Sequence, residues 1–382
     1  MIDVSRFDAY ADLPADMRGR LVHNDSLFTS PAWTSALTLS NPSIQVEWWV
    51  ASYDTGVSAI PVHVLPGPPS RTTYDVAAIF GGELSARAGE LSSRTHILIG
   101  TRNGQGNGFV RSGYENLPAE LALLQRILDF HAQHVIGMLY IDRSLALALR
   151  ELDRSPHSAR LIDAAARITI SDSLDHTISE IDGRRRRMKI RREMRTAADS
   201  EPVTVIETPS QIEELAPILA PLARAVNERH GQTTTDEQMS SYVRSIARSG
   251  LQPALFVGGP LARPTSFSIA ITDAKTLSIR TCGFDYERLG ANGPLEYAKV
   301  VVYEPARYVD DAAIRVLDLG TGTLHAKTLR GAEVVPLYGA MWLPADFEAV
   351  SSRGGEALLM SRLLETTPRL QQVDTAAWGI EQ

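Results

Sequence analysis

The chain has one cysteine, Cys282, in 382 residues, which excludes an internal disulfide framework and fits a reducing compartment. It has no run of about 18 apolar residues, so no membrane-spanning helix is expected. The opening residues Met1-Ile-Asp-Val-Ser-Arg-Phe-Asp8 carry no apolar signal core, and the chain reads as cytoplasmic. No Gly-x-Ser-x-Gly elbow supports Ser/His/Asp chemistry. The nine histidines are scattered. His131 and His134 lie three residues apart on an expected helix, but no carboxylate or cysteine pattern completes a metal site, so a solvated helix face and no metal are expected there. Overall basicity is lacking too. The net charge is −7 and the isoelectric point near 5.8, so any anion-binding surface must be local.

What is present describes an ordinary soluble protein: 44% apolar and 22% charged residues, at a length that suggests two domains. In the first half, Ile44–Ala51 and Val57–Leu65 read as strands joined by a turn at Asp54-Thr-Gly56. Pro66-Gly-Pro-Pro-Ser70 reads as a loop, Thr95–Gly100 as a strand, and Asn103-Gly-Gln-Gly-Asn-Gly108 as a turn-rich connection. Leu117–Gln133 reads as an amphipathic helix with Leu121, Leu124, Ile127 and Leu128 on one face, followed by a buried strand at Gly137–Ile141.

A second α/β unit begins near residue 167, with a short strand at Arg167–Ile170, a helical stretch from Asp175 to about Ala198 and a strand at Val203–Ile206. Helices follow at Pro209–Arg229 and Asp236–Arg248, then strands at 253–257, 265–272 and 276–283. A helix at Pro294–Val309 and a strand at Val316–Leu319 complete the order. The expectation is an α/β (α+β) fold of two domains, 1–165 and 166–382. Each is a mostly antiparallel mixed sheet flanked by helices, the second with a late βα crossover.

Two features carry chemistry. Gly183-Arg-Arg-Arg-Arg-Met-Lys-Ile-Arg-Arg-Glu-Met-Arg195 has eight basic residues among the twelve from Arg184 to Arg195, in an acidic chain. On a helix, four successive arginines span about 300° of azimuth at roughly 100° per residue, so they cannot share one solvent face. Arg184, Arg185, Arg186, Arg187, Lys189, Arg191, Arg192 and Arg195 therefore present either a site for a phosphate-bearing partner or a solvated helix paired with the abundant acids.

The second feature is Val316-Leu-Asp-Leu-Gly-Thr-Gly-Thr-Leu-His-Ala-Lys327. Val-Leu-Asp-Leu-Gly-Thr-Gly is similar to the first motif of class I methyltransferases. That motif opens a doubly wound sheet, however, and only 55 residues follow Lys327 here. It is not a P-loop either, because Ala326 stands where that loop needs glycine.

Taken in order, the basic helix 184–195, Gly283-Phe-Asp285, Asn292-Gly-Pro294 before a helix, and Asp318-Leu-Gly-Thr-Gly322 leading to Lys327 resemble the FemAB-like branch of the GNAT acyltransferases, including the related BioF2-like acetyltransferase domain. The match covers roughly residues 167–345, and the first half resembles the family only in its order of elements. The resemblance implies two tandem GNAT-like units and amide formation: an amine attacks the ester carbonyl of an aminoacyl-tRNA, and a ribose hydroxyl leaves. The acceptor would be an amine of a small molecule or peptide, as in natural-product biosynthesis. Gly290-Ala-Asn-Gly293 lies where CoA-binding GNATs carry their Arg/Gln-x-x-Gly-x-Gly/Ala pyrophosphate loop but lacks that pattern. Acetyl-CoA is therefore the alternative donor, and a non-catalytic RNA-binding protein the third reading. The resemblance further implies that Lys327 supports a phosphate or the developing negative charge. His325 is a candidate proton relay, Asp285 and Glu296 candidates to take the amine proton, and the basic residues of 184–195 the tRNA contacts. Cys282 reads as core rather than nucleophile.

Overall fold

The computed structural model describes residues 2–67, 74–80, 88–312, 314–347, 355–367, 370 and 378. The chain divides into two compact units. The first comprises Met1–Thr34, Asn41–Ala164 and Pro336–Gln382, the second Ser35–Ser40 and Ala165–Val335. The chain past Val335 is grouped with the first unit, for a reason given below.

In the first unit, β1 (Asp3–Phe7), β2 (His23–Asn24), β3 (Gln45–Tyr53), β4 (Gly56–Leu65), β5 (His96–Ile99), β6 (Val110–Arg111) and β7 (Val135–Ile141) form a mixed sheet. β1, β3, β4 and β5 pair antiparallel in that order, and β5 and β7 pair parallel. The β3–β4 hairpin closes with Tyr53 opposite Gly56, so its turn is Asp54-Thr55. The loop expected at Pro66–Ser70 lies outside the described residues from position 68 on.

β3 is buried on both faces. Val46, Trp48 and Val50 pack with Leu13, Leu21, Val57, Ala59 and Val110. On the other face, Trp49 meets Phe130 and His131 at the end of α1 (Leu117–Phe130). The buried face of α1 carries Ala119, Glu120, Leu123, Leu124, Ile127 and Leu128, so Leu123 takes the place expected for Leu121.

The expected solvated face at His131 and His134 is not found at His131. The helix stops at Phe130, and His131 turns inward, where its Nε2–H donates to Glu47 Oε2 at 3.2 Å. Among the described residues, no group of three or more His, Cys, Asp or Glu is placed to hold a metal ion, and no helix is long and apolar enough to cross a membrane.

β8 (Ser158–Thr169) begins in the first unit and enters the second at Ala165, where there follow α2 (Leu174–Glu180), α3 (Arg184–Ala198), β9 (Val203–Ile206), α4 (Pro209–Arg229), α5 (Asp236–Arg248), β10 (Gln252–Gly258), β11 (Ser266–Asp273) and β12 (Thr276–Phe284). The helical stretch expected from Asp175 to Ala198 is two helices. Gly183 separates them with φ +88°, a conformation that favours glycine. β8 also begins well before Arg167, because the Ala-rich run Ser158–Ala166 carries little strand propensity and is held by tertiary burial instead.

After β12 come α6 (Tyr286–Leu289), α7 (Gly293–Tyr297), a π-helical segment (Ala298–Tyr303), α8 (Glu304–Asp311), β13 (Val316–Gly320) and α9 (Leu324–Thr328). Pro305 has no N–H to offer the carbonyl four residues back, which accounts for the wider turn just before it. β9, β10, β11 and β12 pair antiparallel, and β13 pairs antiparallel with β8. Among the described residues of this unit, β12 and β13 are the pair that runs parallel, joined by the α6–α8 crossover. A doubly wound parallel sheet around Gly320 is therefore absent from this unit, and the methyltransferase reading goes with it. β14 (Glu333–Trp342) then leaves the second unit. From Tyr338 to Trp342 it pairs antiparallel with β7, which explains why the chain past Val335 belongs to the first unit.

The buried Glu47 makes an acid-sensitive point in the first unit. Burial alone would raise its carboxyl, but hydrogen bonds from His131 and Trp49 and the charges of His131 and Arg6 outweigh burial and hold it below the ordinary 4.5. The folded form thus loses its proton at lower pH than the unfolded form. The stabilisation is fully present above pH 4.5 and is lost as pH falls through the folded value. Glu47→Gln is expected to lower unfolding free energy by about 1–3 kcal/mol at neutral pH and by less at pH 3, measured by urea denaturation at both pH values.

Candidate functional site

The parallel pair β12–β13 holds together over only three residue pairs, Thr276–Ser278 against Val316–Asp318. Beyond them β12 runs on to Phe284 and β13 turns away after Gly320, so the two strands part. What fills the opening is set by the turn after β13.

That turn is conformationally costly. Gly320 and Gly322 both have φ +69°, and Thr323, a β-branched residue, has φ +45°. Two side chains brace it. Asp318 accepts the Gly320 N–H at 2.8 Å through one oxygen and Arg167 Nε at 2.9 Å through the other. Lys327, buried at 3% exposure, sends its ammonium back to the carbonyls of Gly320 (3.1 Å) and Thr321 (2.8 Å). Close to Lys327 in the turn's short helix, His325 is exposed, and its backbone carbonyl accepts from Thr328.

Cys282 lies near Lys327. Burial pushes its thiol up to about 11, although Lys327 pulls the other way. It therefore stays protonated at neutral pH and is a poor nucleophile; its side chain is half-buried.

Tyr297, at the end of α7, reaches the same turn, its hydroxyl 3.2 Å from Thr323 Oγ1. Burial pushes the phenol up to about 12, so it keeps its proton and can donate at neutral pH. Its neighbour Glu296 accepts from the Ser266 hydroxyl at 2.6 Å and lies 3.8 Å from the buried Lys299 ammonium. This carboxylate lies close against Gly258: a Cβ there would fall 2.2 Å from Glu296 Oε1 and would displace it. Asp285 is engaged elsewhere. It caps α6 by accepting the Arg288 N–H at 3.1 Å, and the Arg288 guanidinium lies 3.8 Å from it.

Phe284, Tyr286 and Tyr297, with Arg229, Gly290, Gly293 and Pro294, line a pocket of about 260 Å³. Gly283, just before Phe284, lets α4 cross β12 at close range, since a Cβ there would meet the α4 backbone at 2.7 Å.

The basic helix α3 approaches from another side. Arg184, Arg185, Lys189, Arg192 and Arg195 are exposed, while Arg186, Arg187 and Arg191 are half-buried. The Arg186 guanidinium donates to the Thr328 carbonyl at the end of α9, and Arg187 donates to the Ile181 carbonyl at 2.7 Å. Glu193, the single acid within the tract, receives the Tyr303 hydroxyl at 2.8 Å and lies 3.2 Å from Arg330 Nε. Arg330 also donates to the Ala326 carbonyl at 2.9 Å, so α3, α9 and the π-helical segment share one ionic junction.

The structure thus brings Lys327, the turn and Arg186 of α3 together within the second unit. It places Glu296 one residue from Tyr297 and leaves Asp285 as a helix cap. Sequence reasoning missed Tyr297, Arg330, Glu193 and the aromatic pocket. Only Glu193 had a signal, as a lone carboxylate in a basic helix.

Solved structures show the same fold. FemX matches with a TM-score of 0.55 and 13% identity, over 86% of this chain and 95% of that one. A conserved protein of unknown function from Bacteroides thetaiotaomicron matches with a TM-score of 0.52 and 13% identity, over 89% and 99%. A tandem GNAT protein from the clavulanic acid biosynthesis pathway is more distant, with a TM-score of 0.47 and 12% identity, over 91% and 100%. No family model and no curated protein sequence matches the chain. The likeness is one of fold: an α/β chain whose units are mixed, mostly antiparallel sheets flanked by helices.

The bracing of the turn is testable. Lys327→Met keeps the apolar stem but removes both charge-assisted bonds, each contributing about 1.5–3 kcal/mol. A loss of about 3 kcal/mol or more is expected in chemical denaturation. A change under about 0.5 kcal/mol would show that the ammonium does not hold the turn.

Proposed function

We propose that the protein is an N-acyltransferase that forms an amide by moving an aminoacyl group from aminoacyl-tRNA to the amine of a small molecule or peptide. The observation that carries this reading is the exposed arginine surface of α3, docked through Arg186 onto the end of the helix that bears Lys327. Four arginines open that helix, where the macrodipole is already positive and no acid sits in the first turn. Such an arrangement is unfavourable in isolation and is offset by an anionic partner; the phosphates of an RNA supply one.

The ester of an aminoacyl-tRNA is already activated, so catalysis is mainly positioning and stabilisation of the oxyanion. Tyr297 holds a proton next to the turn and donates it to the leaving ribose oxygen. Lys327 acts by shaping the turn that Tyr297 contacts, and it adds positive charge behind the developing oxyanion. Glu296, held by Ser266 and Lys299, is the acceptor for the amine proton. A second reading, an acyl-CoA donor, is favoured by Gly290 and Gly293 lining a pocket at a helix start.

Donor assays separate the two: transfer from labelled aminoacyl-tRNA is expected, and transfer from acetyl-CoA alone would favour the second. Tight RNA binding without turnover of either donor would leave a non-catalytic RNA-binding protein. A further test uses the exposed residues alone. Replacing Arg184, Arg185, Arg192 and Arg195 by Ala is expected to flatten the salt dependence of tRNA affinity, the log–log slope falling by about 0.7–0.9 for each phosphate no longer neutralised. Stability should shift by under about 0.5 kcal/mol per site. An unchanged slope measured by filter binding across a salt series would remove α3 from the RNA interface.

A further inference from the structure

We infer that Arg330 is a positioning residue for the transfer reaction: it ties the basic helix α3 to the two helices that carry Tyr297 and Lys327, so that a phosphate chain docked on α3 sets the geometry of the site. This rests on the aminoacyl-tRNA reading and supplies the link by which docking at α3 reaches the reacting groups.

Arg330 stands two residues past α9, and its side chain is only 11% exposed. Its guanidinium reaches three helices at once. One terminal amine donates to the Ala326 carbonyl in α9 at 2.9 Å, next to Lys327. The other lies 3.4 Å from the Pro294 carbonyl in α7, three residues before Tyr297. Nε lies 3.2 Å from Glu193 Oε2 in α3. A planar fork with donors on several edges can make such a junction, and a lysine cannot. The charge reaches Tyr297 as well: burial pushes that phenol up to about 12, and the Arg330 guanidinium pulls it the other way. Arg186 separately joins α3 to the end of α9, so α3 stays docked when Arg330 is replaced.

Glu193 makes the junction responsive, because its carboxylate is shared. Tyr303 and Arg330 meet Oε2 at 2.8 and 3.2 Å, while the Lys189 ammonium lies 3.9 Å from Oε1. Lys189 is exposed and, at about 100° per residue, stands on the same helix face as Arg185 and Arg192. Phosphates docked on that face draw Lys189 to themselves and leave Glu193 to Arg330. The pair with Arg330 is the less exposed of the two, so it gains more from the undivided charge than the pair with Lys189 loses. The junction then tightens on Ala326 and Pro294, and with them on the contact between Tyr297 and Thr323.

The link can be read without turnover, by hydrogen exchange of the full chain, free and bound to a blunt-ended RNA duplex. Such a duplex offers phosphates to α3 but no single-stranded end to enter the site. In wild type, amides of α3, α7 and α9 should exchange more slowly in the complex, those of α7 by about fivefold or more. Arg330→Gln and Glu193→Gln should still bind the duplex through the exposed arginines but lose the slowing in α7. Arg330→Lys should lose it too, since it keeps the charge and not the fork. If the duplex does not bind wild type, if it leaves α7 unchanged, or if the slowing survives in Arg330→Gln, the inference is overturned whether or not acyl transfer is measured. Full recovery by Arg330→Lys would also overturn it, because charge alone would then suffice.

Kinetics tests the same link where the acyltransferase reading holds. Arg330→Gln should lower kcat with aminoacyl-tRNA by about 10- to 100-fold, as small displacements of positioned groups do, and leave KM within about twofold. Combined with Tyr297→Phe it should add little further loss, since both act on one group. A raised KM with unchanged kcat would make Arg330 an RNA contact and sink the positioning role. If exchange behaves as expected while neither aminoacyl-tRNA nor acetyl-CoA is turned over, the link between α3 and α7 stands and the acyltransferase reading falls.

Discussion

Everything in the candidate site hangs on two hydrogen bonds, from the Lys327 ammonium to the carbonyls of Gly320 and Thr321. The turn they close is unfavourable by itself, with left-handed backbone at Gly320, Gly322 and Thr323. A charged, buried donor satisfies two carbonyls that would otherwise face each other's dipoles, while Asp318 ties the same turn to β8 through Arg167. The turn in turn presents Thr323 to Tyr297, so the position of a protonated phenol depends on a lysine seven residues beyond β13.

The basic helix extends this dependence outward. Its arginines divide by geometry into two groups. Arg186 and Arg187 are spent on backbone carbonyls at Thr328 and Ile181, while Arg184, Arg185, Arg192 and Arg195 face solvent. Glu193 supplies the internal counter-charge, and it does so toward Arg330 and Tyr303 as well as Lys189, whose ammonium lies 3.9 Å away. The excess positive charge therefore stays on the exposed side, where it is available to a polyanion. Some arginines thus anchor the helix to backbone carbonyls, and others face solvent.

Much of the fold was legible. The β3–β4 hairpin, α4, α5 and the three antiparallel strands β10–β12 follow from alternation, turn residues and helix entry signals, all local properties of the chain. The failures were also physical. β8 is Ala-rich and is a strand because tertiary burial makes it one. His131 sits at helical spacing from His134 but lies one residue past the end of α1, so it points at Glu47 and not at solvent. The chain after Val335 carries no sequence mark that it pairs with β7 and belongs to the first unit.

By itself, the sequence determined the class of fold, the local concentration of positive charge, and the segment Asp318–Lys327 as a candidate for the site. These rest on periodicity, composition and short motifs, which neighbouring residues express without help. Tertiary structure alone decided which arginines face solvent, that Lys327 braces a turn, that Glu296 lies close against Gly258, and that Phe284, Tyr286, Tyr297 and Arg229 form one pocket. Arg229 and Tyr297 are 68 positions apart in sequence, on separate helices. Only the packing of α4 across β12 at Gly283, and the parting of β12 from β13, brings such residues to one place.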